Sequence, residues 1–254
     1  ICLAGGSVYG LDAASAVPAE LGTEGRGFAM GAPPVVSPIV PAAILFDIGN
    51  GGAKDWGATS PYHRLGKQAF EARTREFALG NIGGGFGAQA GKLKGGLGSA
   101  STMLDDDVFV GALLAVNPVG AICDAQGTFW AQHLALEHKG ASEFGRADAP
   151  APVAGARHPL TASKLAGLSA GANTTIGAVA VAADLTPAEA QRVAIMAQDG
   201  LARAIRPVHT PFDGDTIFVL ATGSRPLARE AELRPLALTV LGALAADCVA
   251  RAIA

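Results

Sequence analysis

Charge, aromatic rings and cysteine are all scarce in this chain. Only 16% of the residues are charged, 6% are aromatic, and three are cysteines. Lys and Arg total 19 against 22 Asp and Glu, a formal net charge of −3. A nucleic-acid binder carries a basic excess, and none is present. Like charges never run beyond Asp105-Asp106-Asp107, which excludes charged tails. Long apolar runs are also missing. The most apolar stretches, 30–46, 108–123 and 236–246, are short or broken by Pro or Asn. None reaches the roughly 18 unbroken apolar residues of a membrane span. No secretory signal or transit peptide opens the chain, and its first residue is Ile1. The sequence is therefore expected to begin inside a longer gene product. Cys2, Cys123 and Cys248 lie far apart and form no CxxC. They read as buried free thiols in a reducing compartment, the cytoplasm.

Apolar residues make up 50% of the 254, which excludes disorder, and the length allows one large domain or two small ones. Glycine is abundant, at 34 residues, near twice the average share of about 7%. Residues 9–21 read as a small-residue helix that Pro18 kinks or shortens. Residues 33–41 are proline-rich and extended, and 42–48 form a short strand before the turn Gly49-Asn50-Gly51-Gly52. Residues 66–77 fit a helix, and 81–98 are the most glycine-dense part. Residues 102–104 and 108–116 read as strands joined by the acidic turn Asp105–Asp107. Asn117-Pro118 stops the second of them, and 119–125 begins another. Residues 130–172 are polar and weakly periodic, a long surface segment of a kind that often carries function. A buried strand follows at 175–182. Thr186-Pro187-Ala188-Glu189 is a helix start with an N-cap, Pro at N1 and Glu at N3, for a helix to about Ile205. A strand at 216–221 and a helix at 236–253 complete the chain. Helices and strands interleave, and tight strand turns imply antiparallel pairing. The fold class is α+β.

Several motifs fail. Gly83-Gly84-Gly85-Phe86-Gly87 lacks GxGxxG spacing, and no phosphate loop precedes Gly91-Lys92, which Leu93 follows. No GxSxG elbow occurs. The histidines His63, His133, His138, His158 and His209 show no metal-ligand spacing beyond the pair His133 and His138, and read as surface residues. No metal or organic cofactor is called for.

The junction Asn173-Thr174-Thr175 admits three readings. It is a glycosylation sequon, of little weight without a secretion signal. It is a pair of hydroxyls satisfying backbone groups at a strand start. Or it is chemical. A threonine hydroxyl becomes a useful nucleophile when its own α-amino group acts as base, which requires the threonine to head a chain. Such an amine has a pKa of about 7.7–8.0, near the working pH. Cleavage before Thr174 would create it. Asp213 and Asp215 stand two apart just before a strand, where alternation sends both to one side. They could hold a hydroxyl or an ammonium, or form an ordinary acidic turn. Asn117, at a strand end, could donate to an oxyanion or simply make a turn.

Five segments then occur in order: Ile1-Cys2-Leu3-Ala4-Gly5-Gly6, Ala90-Gly91-Lys92, Asn117-Pro118-Val119-Gly120, Asn173-Thr174-Thr175-Ile176 and Asp213-Gly214-Asp215-Thr216. Together they resemble the self-processing N-terminal-nucleophile hydrolases of the L-aminopeptidase/D-esterase family, most closely its nylon-oligomer (6-aminohexanoate-oligomer) hydrolase branch. Members of that family carry a further N-terminal segment. The resemblance implies an αββα four-layer sandwich and autocleavage between Asn173 and Thr174, giving fragments 1–173 and 174–254. It also implies assembly of the processed heterodimers, often as tetramers. By position Thr174 matches the nucleophile, Lys92 an active-site lysine and Asn117 an oxyanion-hole asparagine. Asp213 and Asp215 match the pair that orients the nucleophile. Where the nylon hydrolases have a tyrosine, this chain has Phe46, before Asp47; the missing hydroxyl is dispensable, or water or Tyr9 replaces it. The expected activity is hydrolysis of 6-aminohexanoate oligomers or short peptide amides through an acyl-enzyme, without cofactor, nucleic acid or membrane. The alternatives are acyl transfer of the ornithine acetyltransferase kind, with the same threonine, an aminopeptidase for small peptides, and a non-enzymatic small-molecule binder.

Overall fold

The computed structural model describes residues 1–31, 36–104, 108–138, 141–145, 163–167, 173–228 and 230–254. The acidic turn Asp105–Asp107 and much of the 130–172 stretch lie outside these residues.

Among the described residues four α-helices occur: α1 (Leu11–Thr23), α2 (Tyr62–Glu71), α3 (Pro187–Ala204) and α4 (Arg234–Ile253). The strands are β1 (Cys2–Ala4), β2 (Phe28–Ala29), β3 (Val36–Ser37), β4 (Ala42–Ile44), β5 (Gln89–Ala90), β6 (Leu93–Lys94), β7 (Gly96–Leu104), β8 (Val108–Val116), β9 (Glu137–His138), β10 (Ala141–Ser142), β11 (Ile176–Val181) and β12 (Thr216–Ala221). The main sheet runs β12-β11-β8-β7. β11 pairs antiparallel with β8 and parallel with β12. β1 and β4 form a separate parallel pair.

Alternation along β8 and β11 sends Val108, Val110, Leu114, Val179 and Val181 to one core, where they meet Val193 and Leu201 of α3 and Leu241 and Val249 of α4. Ala115 and Ile176 face the other way and pack with Leu45, Ala88, Leu3 and Ala43. Helices α1 and α2 pack on each other, and α1 packs on β1 and β4. The layers are thus helices α3 and α4, the four-stranded sheet, the β1–β4 pair, and helices α1 and α2. This is the αββα order that the resemblance implies.

Helix α3 starts where its sequence says. Thr186 Oγ1 accepts from Glu189 N–H, and the Glu189 carboxylate accepts from Thr186 N–H (2.8 Å). Arg234, at the head of α4, donates to both Glu189 oxygens (2.7 and 2.9 Å). That guanidinium holds the Glu189 carboxyl down at about 2. Helix α4 is the one described helix long and apolar enough to cross a membrane, and half of that stretch is buried inside the protein.

Three elements depart from expectation. Helix α2 starts at Tyr62, four residues early, and ends at Glu71. Residues 119–125 form no strand, only isolated bridges at Ala121 and Cys123. β7 extends back through the glycine-rich run to Gly96. There Gly98 lies against the last turn of α4, and a Cβ on it would sit 1.8 Å from the Ala252 carbonyl oxygen. Gly98→Ala must therefore push α4 off the sheet. A loss of roughly 1–3 kcal/mol is expected in denaturant unfolding, the usual scale of core overpacking. All three cysteines are free, with Cys248 buried and Cys2 and Cys123 partly so.

Candidate active site

The sheet order explains why distant segments meet. Because β8 runs antiparallel to β11, the end of β8 lies beside the start of β11; because β12 runs parallel to it, so does the start of β12. Ile176 faces Ala115 on one side and Thr216 on the other. Asn117, Thr174 and the Asp213–Asp215 turn are thereby gathered at one end of the sheet.

The Asn173–Thr174 peptide is held from both sides. Gly214 N–H donates to the Asn173 carbonyl oxygen (2.9 Å), and Thr174 N–H donates to the Asn117 carbonyl oxygen (3.1 Å). Asn173 N–H donates to Phe212 O (2.9 Å), completing a short parallel bridge between Asn173 and Asp213. The Thr174 hydroxyl donates to the same Asn173 carbonyl oxygen. Hydroxyl and carbonyl are thus in contact across the Asn173–Thr174 peptide bond. A Cβ on Gly214 would come within 3.1 Å of Thr174 Oγ, so a residue without a side chain suits that close approach. Thr174 is 8% exposed, whereas Thr175 is fully buried. Alternation turns the two threonines to opposite faces of the sheet.

The two aspartates hold backbone. Asp213 Oδ1 accepts from Val119 N–H (3.0 Å), and its Oδ2 accepts from the N–H and hydroxyl of Thr210 (3.0 and 2.7 Å). Asp215 Oδ1 accepts from Thr175 N–H (2.8 Å), and its Oδ2 lies 2.8 Å from His209 Nδ1. Burial raises the Asp215 pKa, opposed by the Thr175 N–H and by His209. His209 itself has a positive φ of 51°, an uncommon conformation for a non-glycine residue.

Asn117 is fully buried. Its Oδ1 accepts from Gln89 N–H (2.9 Å), and its Nδ2 donates to the Phe46 carbonyl oxygen (2.9 Å). The amide therefore has one further N–H to offer. Phe46 takes part through its backbone. Tyr9 stands half exposed, edge-on to Trp56 at 5.6 Å. Lys92 is exposed on the turn between β5 and β6, with no hydrogen bond or ion pair among the described residues. Lys164 makes hydrogen bonds at this end of the sheet. Its Nζ lies 2.5 Å from Asn173 Oδ1 and 3.3 Å from Asn117 Oδ1. Burial pushes its amine down to about 8, against the pull of Asp213.

The site thus unites Thr174, Asn173, Asn117, Asp213 and Asp215, and among the described residues Lys92 and Tyr9 make no hydrogen bond to any of them. It adds Lys164, His209 and Gly214. Of these, Gly214 stood in view inside the Asp-Gly-Asp motif, while Lys164 and His209 carried no spacing signal. Among the described residues no three His, Cys, Asp or Glu side chains cluster as metal ligands would.

Residues 1–254 match the family model described as peptidase family S58. An uncharacterized aminopeptidase of Mycobacterium tuberculosis (strain ATCC 25618 / H37Rv) is 44% identical over 261 residues, covering 100% of this chain and 72% of the relative. A 6-aminohexanoate-oligomer endohydrolase of Agromyces sp. (strain KY5R) is 33% identical over 238 residues, covering 87% of this chain and 60% of the relative. The solved L-aminopeptidase D-Ala-esterase/amidase of Ochrobactrum anthropi, described as a variant of the Ntn hydrolase fold, superposes with a TM-score of 0.57 at 18% identity. That superposition covers 96% of this chain and 62% of the other.

Proposed function

The chain belongs to peptidase family S58, and we propose that it is a self-processing amide hydrolase whose nucleophile is Thr174. One observation carries the reading: the Thr174 hydroxyl and the Gly214 N–H both meet the carbonyl oxygen of Asn173.

In the first reaction the chain is its own substrate. Thr174 Oγ bonds to the Asn173 carbonyl carbon, and the oxygen takes up negative charge beside Gly214 N–H. The carbon–nitrogen bond then breaks, and the hydroxyl proton ends on the Thr174 nitrogen. Water hydrolyses the resulting ester to the Asn173 carboxylate and restores the hydroxyl. Thr174 now heads a chain, with an amine of pKa about 7.7–8.0 as its base.

In turnover the same oxygen attacks an external amide, and the free amine takes its proton and passes it to the leaving nitrogen. The spare N–H of Asn117 donates to the oxyanion. Asp215 holds the backbone of the residue after the nucleophile, and Asp213 fixes the turn that presents Gly214. Water releases the acyl group. Lys92 enters this reading through the resemblance alone. The substrate class is short linear amides. Peptides with a free amino terminus fit the aminopeptidase relatives, and 6-aminohexanoate oligomers fit the endohydrolase relatives.

Intact mass measurement with N-terminal sequencing tests the reading directly. The expected result is two polypeptides, one covering 174–254 and beginning Thr-Thr-Ile-Gly. A single unbroken chain in active enzyme overturns it.

A further inference from the structure

Lys164 opens a one-turn 3-10 helix, Lys164–Gly167, upstream of the Asn173–Thr174 bond. Its backbone N–H donates to the Val119 carbonyl oxygen (3.0 Å), and Val119 N–H donates to Asp213 Oδ1 (3.0 Å). The lysine is thus anchored to the segment that leaves β8 after Asn117. From there its Nζ reaches Asn173 Oδ1 (2.5 Å), Asn117 Oδ1 (3.3 Å) and the Asn117 carbonyl oxygen (3.5 Å).

These acceptors belong to the two residues that bracket the Asn173–Thr174 bond. Asn173 supplies its carbonyl, and Asn117 O receives its N–H. Among the described residues no carboxylate forms an ion pair with Lys164. A half-buried ammonium set against amide oxygens is costly to desolvate, and ion pairing does not explain its place. Charged hydrogen bonds to both walls of one peptide do.

We propose that Lys164 is a positioning residue for self-cleavage, its ammonium clamping Asn173 to Asn117 so that the Asn173 carbonyl stays against Thr174 Oγ and Gly214 N–H. The inference rests on the self-processing reading of the preceding subsection. In the covalent step the Oγ–carbon bond forms, the carbon–nitrogen bond breaks, and the hydroxyl proton ends on the Thr174 nitrogen. Lys164 contributes no atom and keeps its proton. Its shortest contact is to Asn173, whose backbone carbonyl becomes the new carboxyl terminus. Its influence therefore falls chiefly on the first reaction.

The test follows the appearance of fragment 174–254 by gel and mass after rapid expression of the full chain. Wild type, Lys164→Met, Lys164→Gln and Lys164→Arg are compared, with Thr174→Ala as the uncleaved control. Cleavage in the Met and Gln chains is expected to slow by roughly tenfold or more, the size of one charged hydrogen bond lost. Lys164→Arg, which keeps the charge, is expected within about threefold of wild type on the same scale. Thermal melts of the uncleaved chains identify any variant that misfolds, and the Gln chain carries the comparison if Met fails. Cleavage of a folded Met or Gln chain at the wild-type rate overturns the proposal, as does an Arg chain as slow as Gln. A wild-type chain that never cleaves sinks the self-processing reading itself. Fast cleavage in both wild type and Lys164→Gln removes only the role of Lys164.

Discussion

Thr174→Ala is expected to give one unbroken polypeptide with no amide hydrolysis, a loss on the order of 10⁴–10⁶ in rate, as for other nucleophile deletions. In the proposed mechanism both reactions need the same oxygen. The first needs it beside the Asn173 carbonyl, where it stands. The second needs it beside an amine that only the first can free. The two losses should therefore appear together, in a protein whose fold is intact because the removed hydroxyl bonds only its own chain neighbour. Denaturing gels and an amide-release assay on the same preparation check this. Cleavage that persists in the alanine variant would place the nucleophile elsewhere. Thr175 is poorly suited to that part, being fully buried.

The second large effect concerns Asn117. Asn117→Ala should lower kcat by roughly 10²–10³, the range seen when one oxyanion donor is removed. A change confined to KM would mean that the amide positions substrate without bonding the oxyanion. The same substitution strips the Gln89 N–H and the Phe46 carbonyl, both partly buried, of their partners. Each orphaned group costs about 1–3 kcal/mol, so the variant should also melt at lower temperature. Kinetics belong well below that midpoint, where loss of fold and loss of chemistry separate.

Much of this arrangement was legible in the residues. The capping box of α3 is local chemistry, readable from four letters. β8 and β11 are rich in Val, Ile and Leu because they are the central strands of the main sheet. Asn117, Thr174 and the Asp213–Asp215 pair are side chains whose chemistry is suggestive by itself, and the family resemblance placed them in order. What stayed hidden depends on three-dimensional neighbours. The first half of β7 reads as a loop because its glycines answer to distant backbone, Gly96 to Gly80 and Gly98 to Ala252 of α4, the latter more than 150 positions away in the chain. Residues 119–125 have strand-like letters yet lack a long partner, and they end as isolated bridges. Lys164 sits in a stretch without periodicity, and only the Val119 contact brings it to the site. Phe46 has no side-chain hydroxyl, and it meets Asn117 through a carbonyl that every residue possesses. No substitution at that position would reveal such a role.

On the self-processing reading, the short parallel bridge between Asn173 and Asp213 has a consequence for what the cleaved protein can cut. It makes Asn173 a casting from which the cleft is moulded: a residue laid alongside Asp213 before β12, its carbonyl turned to a single glycine amide. When Asn173 withdraws, the imprint remains, and it accepts guests of the same outline. Slender, unbranched chains with a main-chain rhythm match that imprint, and bulky or ring-shaped amides do not.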